Sequence, residues 1–205
     1  GGSSLSDADI IADFTDGSDF IGLDSLGFDD ITIAQGSGDY SSHTLLSVKS
    51  SGEYLAIIQN ITASNITVLD FASMSTTNQT LNGNSSNNTI IGGAGNDTIT
   101  TGTGTDLILA GAGDDGITIN GLGNKTIDGG SGTDSLTVSI SGRASLADYT
   151  VSTSGDYLVL TDSDGNVIQY KNISSLTIGS NTYVDIQNNS NTKNFFWSPS
   201  EHKIY

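Results

Sequence analysis

Short runs in which apolar and polar residues alternate recur along both ends of the chain. They lie at 29–34 (DDITIA), 44–49 (TLLSVK), 53–59 (EYLAIIQ) and 65–71 (NITVLDF), then at 136–140, 148–152, 156–162, 166–171, 175–179 and 182–186. Alternation with a period of two is the mark of a strand with one buried face. Gly, Ser, Asn and Asp fill the gaps, supplying the positive φ and local hydrogen bonds that turns require. The segment DSDG (162–165), set between YLVLT and NVIQY, predicts a tight hairpin. The aromatic tail NFFWSPSEHKIY predicts another, turning at Ser198, Pro199 and Ser200. No segment sustains a helical period, so the pattern predicts an all-β protein.

Between these regions the pattern changes. Aligned on one recurring aliphatic residue, the chain from 83 reads GNSSNNTII, GGAGNDTIT, TGTGTDLIL and AGAGDDGIT, then NGLGNKTID (120–128) and GGSGTDSLT (129–137). The step is nine residues except for one extra residue near Ile119. The sixth place of each unit holds Asn88, Asp97, Asp106, Asp115, Lys125 and Asp134, and the eighth holds Ile90, Ile99, Ile108, Ile117, Ile127 and Leu136. Glycine at the second and fourth places allows positive φ and close backbone approach. The first six residues therefore predict a turn, and the last three a short strand with one side chain inward. Two units make one coil, and coils stack as parallel strands about 4.8 Å apart. One aliphatic residue per nine is a thin core, so the turns need another source of cohesion.

Composition sharpens that requirement. Six Lys and Arg stand against 23 Asp and Glu, a net charge of −17. Such a surface repels nucleic acid and anionic membranes, which excludes both as partners. With no cysteine, disulfides and thiolate metal sites are excluded. No apolar stretch reaches membrane-spanning length, and GGSSLSDAD shows no cleavable leader. Export by another route, or a longer polypeptide, is expected. The carboxylates are either a solvated acidic surface or ligands, and their periodic placement favours ligands. Stacked turns bring carboxylates and carbonyls into an all-oxygen cage, which suits Ca²⁺.

This run resembles the RTX (repeats-in-toxin) family, whose nonapeptide GGxGxDxUx forms a calcium-binding parallel β-roll. The resemblance implies a short β-roll over 81–137. It follows a β-rich region (1–80) like the end cap of a preceding roll, and precedes a β-rich cap (138–187) and an aromatic tail or hairpin (188–205). Like turns are eighteen residues apart. One edge thus collects Asp97, Asp115 and Asp134; the other collects Asn88, Asp106 and Lys125. By resemblance, the first edge holds two ions. The first would take carbonyls of Gly93, Gly95, Ala110 and Ala112; the second, those of Gly111, Gly113, Gly129 and Ser131; Asp115 would bridge both. Asn88 with Asp106 forms at most a weaker site. Lys125 either replaces an ion by pairing with Asp106 or is an ordinary solvent-facing lysine. In DIIADFTDGSDF (9–20), Asp13, Asp16 and Asp19 either bind calcium left by a preceding roll or form a polar turn.

Catalytic signatures do not emerge. There is no G-x-S-x-G, H-E-x-x-H or phosphate-cradling loop, and His43 and His202 read as surface residues. The threonine run 98–105 is too short for an ice-binding face. The chain is expected not to be an enzyme. Its leading reading is a calcium-binding structural module of a large, type I-secreted cell-surface protein (surface layer, adhesin or filament). Such a module folds, and can self-associate, on extracellular calcium. The alternative is the C-terminal folding and secretion module of an exported protease, lipase or epimerase. A polysaccharide-binding role would need an aromatic or basic groove. Phe195, Phe196, Trp197 and Tyr205 either dock on a neighbouring subunit or close the chain's own core.

Overall fold

In the computed structural model, residues 2–16, 18–23, 26–73, 75–185, 196–198 and 203–204 are described. Among the described residues there are twenty strands, and the helical pieces are three-residue 3₁₀ turns. The chain divides into two compact units, 1–74 and 75–205.

The first unit holds β1 (Asp9–Ile11), β2 (Ile21–Leu23), β3 (Ile31–Gln35), β4 (Thr44–Val48), β5 (Tyr54–Ile58) and β6 (Phe71–Ser73). Strands β3, β4 and β5 form an antiparallel meander whose last strand lies parallel to β1, with Asp9 opposite Ala56. Beside it, β2 and β6 pair in parallel, Ile21 opposite Phe71. Two expectations are corrected here. Residues 65–71 are not a strand: Ala63–Asn65 and Val68–Asp70 are 3₁₀ turns, and the paired strand is Phe71–Ser73. The buried Asp70 carboxylate accepts from the Thr67 amide at 2.7 Å, and that local bond outcompetes a ladder. Likewise Asp29 and Asp30 belong to a 3₁₀ turn, where Asp30 accepts from the Gly27 amide, so the strand begins at Ile31.

The second unit is the roll. Its strands are β7 (Thr80–Asn82), β8 (Thr89–Ala94), β9 (Thr98–Thr100), β10 (Asp106–Ala112), β11 (Gly116–Ile119), β12 (Lys125–Asp128), β13 (Ser135–Val138), β14 (Tyr149–Ser154), β15 (Tyr157–Asp162), β16 (Val167–Lys171), β17 (Ser175–Ile178), β18 (Asn181–Asp185), β19 (Phe196–Ser198) and β20 (Lys203–Ile204). They sort into two sheets, β14-β15-β16-β12-β10-β8 and β20-β19-β18-β17-β13-β11-β9-β7. From β8 to β16 and from β7 to β17 every pair is parallel, which is the coil stacking that the nine-residue period requires.

Three features go beyond the repeat pattern. The roll begins one unit early: β7 lies against β9, Leu81 opposite Ile99, although its turn lacks the glycines and the carboxylate. It also continues into the cap, since β16 stacks on β12 and β17 on β13 before the antiparallel strands close each sheet. The extra residue is Asn120, whose side chain accepts from the Gly102 amide at 2.9 Å. It moves the register from eighteen (Thr100 opposite Thr118) to nineteen (Ile108 opposite Ile127) without breaking the ladder. The 162–165 hairpin forms as expected. Asp162 accepts from the amides of Asp164 and Asn166, and its other oxygen takes the Arg143 guanidinium at 2.6 Å.

The core is thicker than one residue per unit. In β10 the alternation is buried–half-buried, so Asp106, Ile108 and Ala110 all point inward. The residue two beyond each aliphatic position adds Ile119, Val138 and Ile178 to the buried column of Ile99, Ile108, Ile117, Ile127, Leu136 and Leu176. In the tail, β19 pairs with β18 and β20, giving a terminal hairpin. Phe195, Pro199, Ser200, His202 and Tyr205 lie outside the described residues.

The two units repeat one topological order. Each has a parallel coil (β1 and β2; β12 and β13), then a 3₁₀ turn whose third residue, Asp30 or Asp148, caps it. A three-strand meander follows, its last strand lying on the first strand of the coil, and then a strand lying on the second.

Candidate metal centre

The inward alternation of each roll strand starts at the sixth place, so the turn carboxylates enter the interior beside the aliphatic column. Asp97, Asp106, Asp115 and Asp134 are each no more than 2% exposed. Stacking is tight enough to require glycine: Gly111 and Gly113 have φ of 111° and 130°, and a Cβ there would strike the carbonyls of Gly93 and Gly95 one coil below.

Backbone register separates the two edges as the period predicts. On the first edge one carboxylate oxygen of each aspartate is used between coils. Asp97 Oδ1 accepts from the Gln79 amide at 2.8 Å, Asp115 Oδ1 from Asp97 at 2.7 Å, and Asp134 Oδ1 from Asp115 at 2.9 Å. The second oxygen, Oδ2, of all three is buried with no hydrogen-bond partner. Burial raises the pKa of both Asp115 and Asp134, the latter to about 6, with backbone hydrogen bonds pulling the other way. Three dry carboxylate oxygens in one column call for a cation.

The surroundings fit calcium. A Cβ built on Gly92 would touch the Ala110 carbonyl and also Asp97 Oδ2, at 2.5 Å, so those two oxygens converge on one point. Over Gly129 the Asn172 carbonyl and Asp134 Oδ2 (2.8 Å) converge in the same way. Among the described residues no cluster of three or more His, Cys, Asp or Glu could hold a metal, so carbonyls must complete each cage. That donor set is all oxygen. Of the carbonyls nominated from the sequence, those of Ala112, Ser131 and Gly111 already accept coil-to-coil bonds from Gly95, Gly113 and Ser131 and have only their second lone pair to offer.

The second edge differs. Asp106 Oδ1 accepts from the Asn88 amide at 2.9 Å, while Oδ2, though without a directional hydrogen bond, lies 2.9 Å from Lys125 Nζ. Lys125 is 1% exposed, which overturns the solvent-facing alternative. Asn88 Oδ1 already accepts from Asn84 at 2.9 Å. In the first unit, Asp13, Asp16 and Asp19 are exposed. Asp19 accepts from the Thr15 amide at 2.7 Å, as a polar turn does, and with Asp13 it rims a cavity of about 630 Å³ lined by Phe14, Ile21 and Phe71. His43 braces a turn by accepting from the Asn60 amide at 3.1 Å.

The sequence reading missed an outer ladder at the fifth place. The Asn96 amide donates to Asn78 Oδ1, Asp114 to Asn96 Oδ1, and Thr133 to Asp114 Oδ1, at 2.7–3.0 Å. The recurrence of Asn and Asp one residue before the ligand place was its only signal.

Fold and site together define a parallel β-roll of nonapeptide coils with a metal-ready edge. The RTX calcium-binding nonapeptide repeat matches residues 80–117 in four copies. Residues 80–117 thus carry calcium-binding nonapeptide repeats of the RTX type. The units at 120–137 lie outside the matched segment, yet their strands stack in parallel on those of the matched coils. Among solved structures, the chain is similar to the extracellular lipase LipA from Serratia marcescens, with 18% identity and a TM-score of 0.30. The likeness covers 73% of this chain and 23% of LipA, so the chain spans less than a quarter of that protein. No curated protein matches the chain.

Proposed function

We propose that the chain is a non-catalytic structural module of a large secreted cell-surface protein, a surface layer, adhesin or filament, that folds on extracellular calcium. The observation carrying the calcium mechanism is the column of unpartnered, buried Oδ2 atoms on Asp97, Asp115 and Asp134. Without metal these carboxylates repel one another and resist burial, which favours the open chain at low cytosolic calcium. Outside the cell, binding is linked to folding: calcium at about 100 times its Kd adds roughly 2.7 kcal/mol to stability. Asp115, standing between two turns, bridges two cages formed with the carbonyls of Gly93, Gly95, Ala110 and Ala112 and of Gly111, Gly113, Gly129 and Ser131.

The structural role is supported by the repeated order of coil, capped turn, meander and returning strands in both units. Two roll ends in one chain read as tandem modules, and tandem parallel-stranded modules suit extension and self-association. The RTX-type repeats at 80–117 support export by the type I route. Far-UV circular dichroism during a calcium titration tests the folding mechanism, and a spectrum indifferent to calcium overturns it. The reading frame ahead of Gly1 tests the structural role: further strand-rich modules support it, and a catalytic domain favours a secretion module instead.

A further inference from the structure

Lys125 is among the largest fully buried side chains of the protein. A buried ammonium must be satisfied by oxygen acceptors. It meets three: Asp106 Oδ2 at 2.9 Å, the Gly104 carbonyl at 2.6 Å and the Leu122 carbonyl at 3.3 Å. In the nonapeptide these are the sixth and fourth places of one turn and the third place of the turn stacked on it.

The same places on the first edge are Asp97, Gly95 and Ala112, then Asp115, Gly113 and Ser131. Their backbones are joined alike. Gly104 donates to the Leu122 carbonyl at 3.0 Å, as Gly95 does to Ala112 at 2.8 Å and Gly113 to Ser131 at 2.9 Å. Leu122 thus shows that a third-place carbonyl can hold its coil-to-coil bond and face a cation as well. The charges match too. Two aspartates flank each first-edge seat and call for a divalent ion, whereas Asp106 is balanced by one ammonium.

We propose that Lys125 is a tethered substitute for a calcium ion, so that residue 125 sets how many ions the roll takes and how much calcium its folding requires. The proposal rests on the calcium reading of the first edge and extends it to an edge that needs no metal at that seat. What marks this lysine as an ion's substitute is which acceptors it takes: the fourth-place and third-place carbonyls that correspond to Gly95 and Ala112 on the first edge.

Bound calcium per chain, measured by equilibrium dialysis with elemental analysis, separates the two claims. Lys125→Asp restores a carboxylate at the sixth place, and one more calcium ion per chain is expected, with a folding midpoint shifted several-fold to higher calcium. A wild-type chain that binds no calcium refutes the first-edge reading. A wild-type chain that binds calcium beside a folded Lys125→Asp chain with no added ion refutes the role of Lys125. Should that variant fail to fold, a crystal structure of the calcium-saturated wild type decides. The ammonium between Asp106 and Leu122 upholds the proposal; an ion in its place, with the ammonium displaced, overturns it.

Discussion

The two edges of the roll are built from one backbone and differ in a few side chains. On one, Asp97, Asp115 and Asp134 each leave a buried oxygen without a partner; on the other, Asp106 is met by Lys125. The comparison teaches that turn geometry makes the seat and the sixth residue decides what fills it. A carboxylate there makes the edge dependent on solution calcium, and an ammonium makes it self-sufficient.

The largest effect is expected at Asp115, the middle rung of the calcium edge. Asp115→Ala removes an acceptor of the Asp97 amide and, on the function proposed above, a ligand shared by two cages. Loss of even an outer-sphere partner weakens metal binding by about 10–100-fold, so losing a bridging ligand should exceed about 100-fold. A calcium titration followed by circular dichroism would show it; a midpoint within a few-fold of wild type would erase the distinction between the edges.

Next in size is Lys125→Met, which strands the Asp106 carboxylate in the interior. Breaking a buried pair on one side costs about 3–5 kcal/mol. The fair measure is urea unfolding of variant and wild type under identical calcium, and an unchanged midpoint would mean that the pair contributes nothing.

How much of this was legible beforehand follows from what each feature depends on. The roll, its two edges and the exceptional place of Lys125 follow from period and residue type alone, because stacking fixes register. The burial of Lys125 did not, since a lysine in a loop pattern gives no sign of where its stem runs. The coil containing Gln79 and Leu81 was hidden because it keeps the aliphatic position and discards the glycines, relying on neighbours for register. The misjudged strand at 65–71 failed for a local reason, the Asp70 cap, which competes with strand pairing without altering the apolar pattern. The Asp13, Asp16 and Asp19 group lies exposed, and Asp19 closes a turn on the Thr15 amide, the polar-turn alternative.

A smaller effect concerns protons. In the metal-free roll, burial lifts Asp134 to about 6 from an ordinary 3.8. The folded state thus holds this proton more tightly than the open chain, and the metal-free fold loses stability as pH rises from about 4 through 6. Calcium competes with that proton, so its affinity should fall as pH drops below about 6. Calcium midpoints followed by circular dichroism across this range should shift less with pH in Asp134→Asn; equal shifts would assign the response elsewhere.

The smallest effect should not distinguish the edges at all. The outer ladder runs on both: Asn96 Oδ1 accepts from the Asp114 amide at 3.0 Å on the calcium edge, and Asn87 Oδ1 from the Thr105 amide at 2.8 Å on the other. These bonds lie on the solvent side of the turns, where water can replace a lost acceptor. Asn96→Ala and Asn87→Ala should therefore each cost about 0.5–1.5 kcal/mol by urea unfolding in saturating calcium. A much larger loss for Asn96→Ala would mean that the exposed ladder positions the calcium cage, and that more than the sixth residue separates the edges.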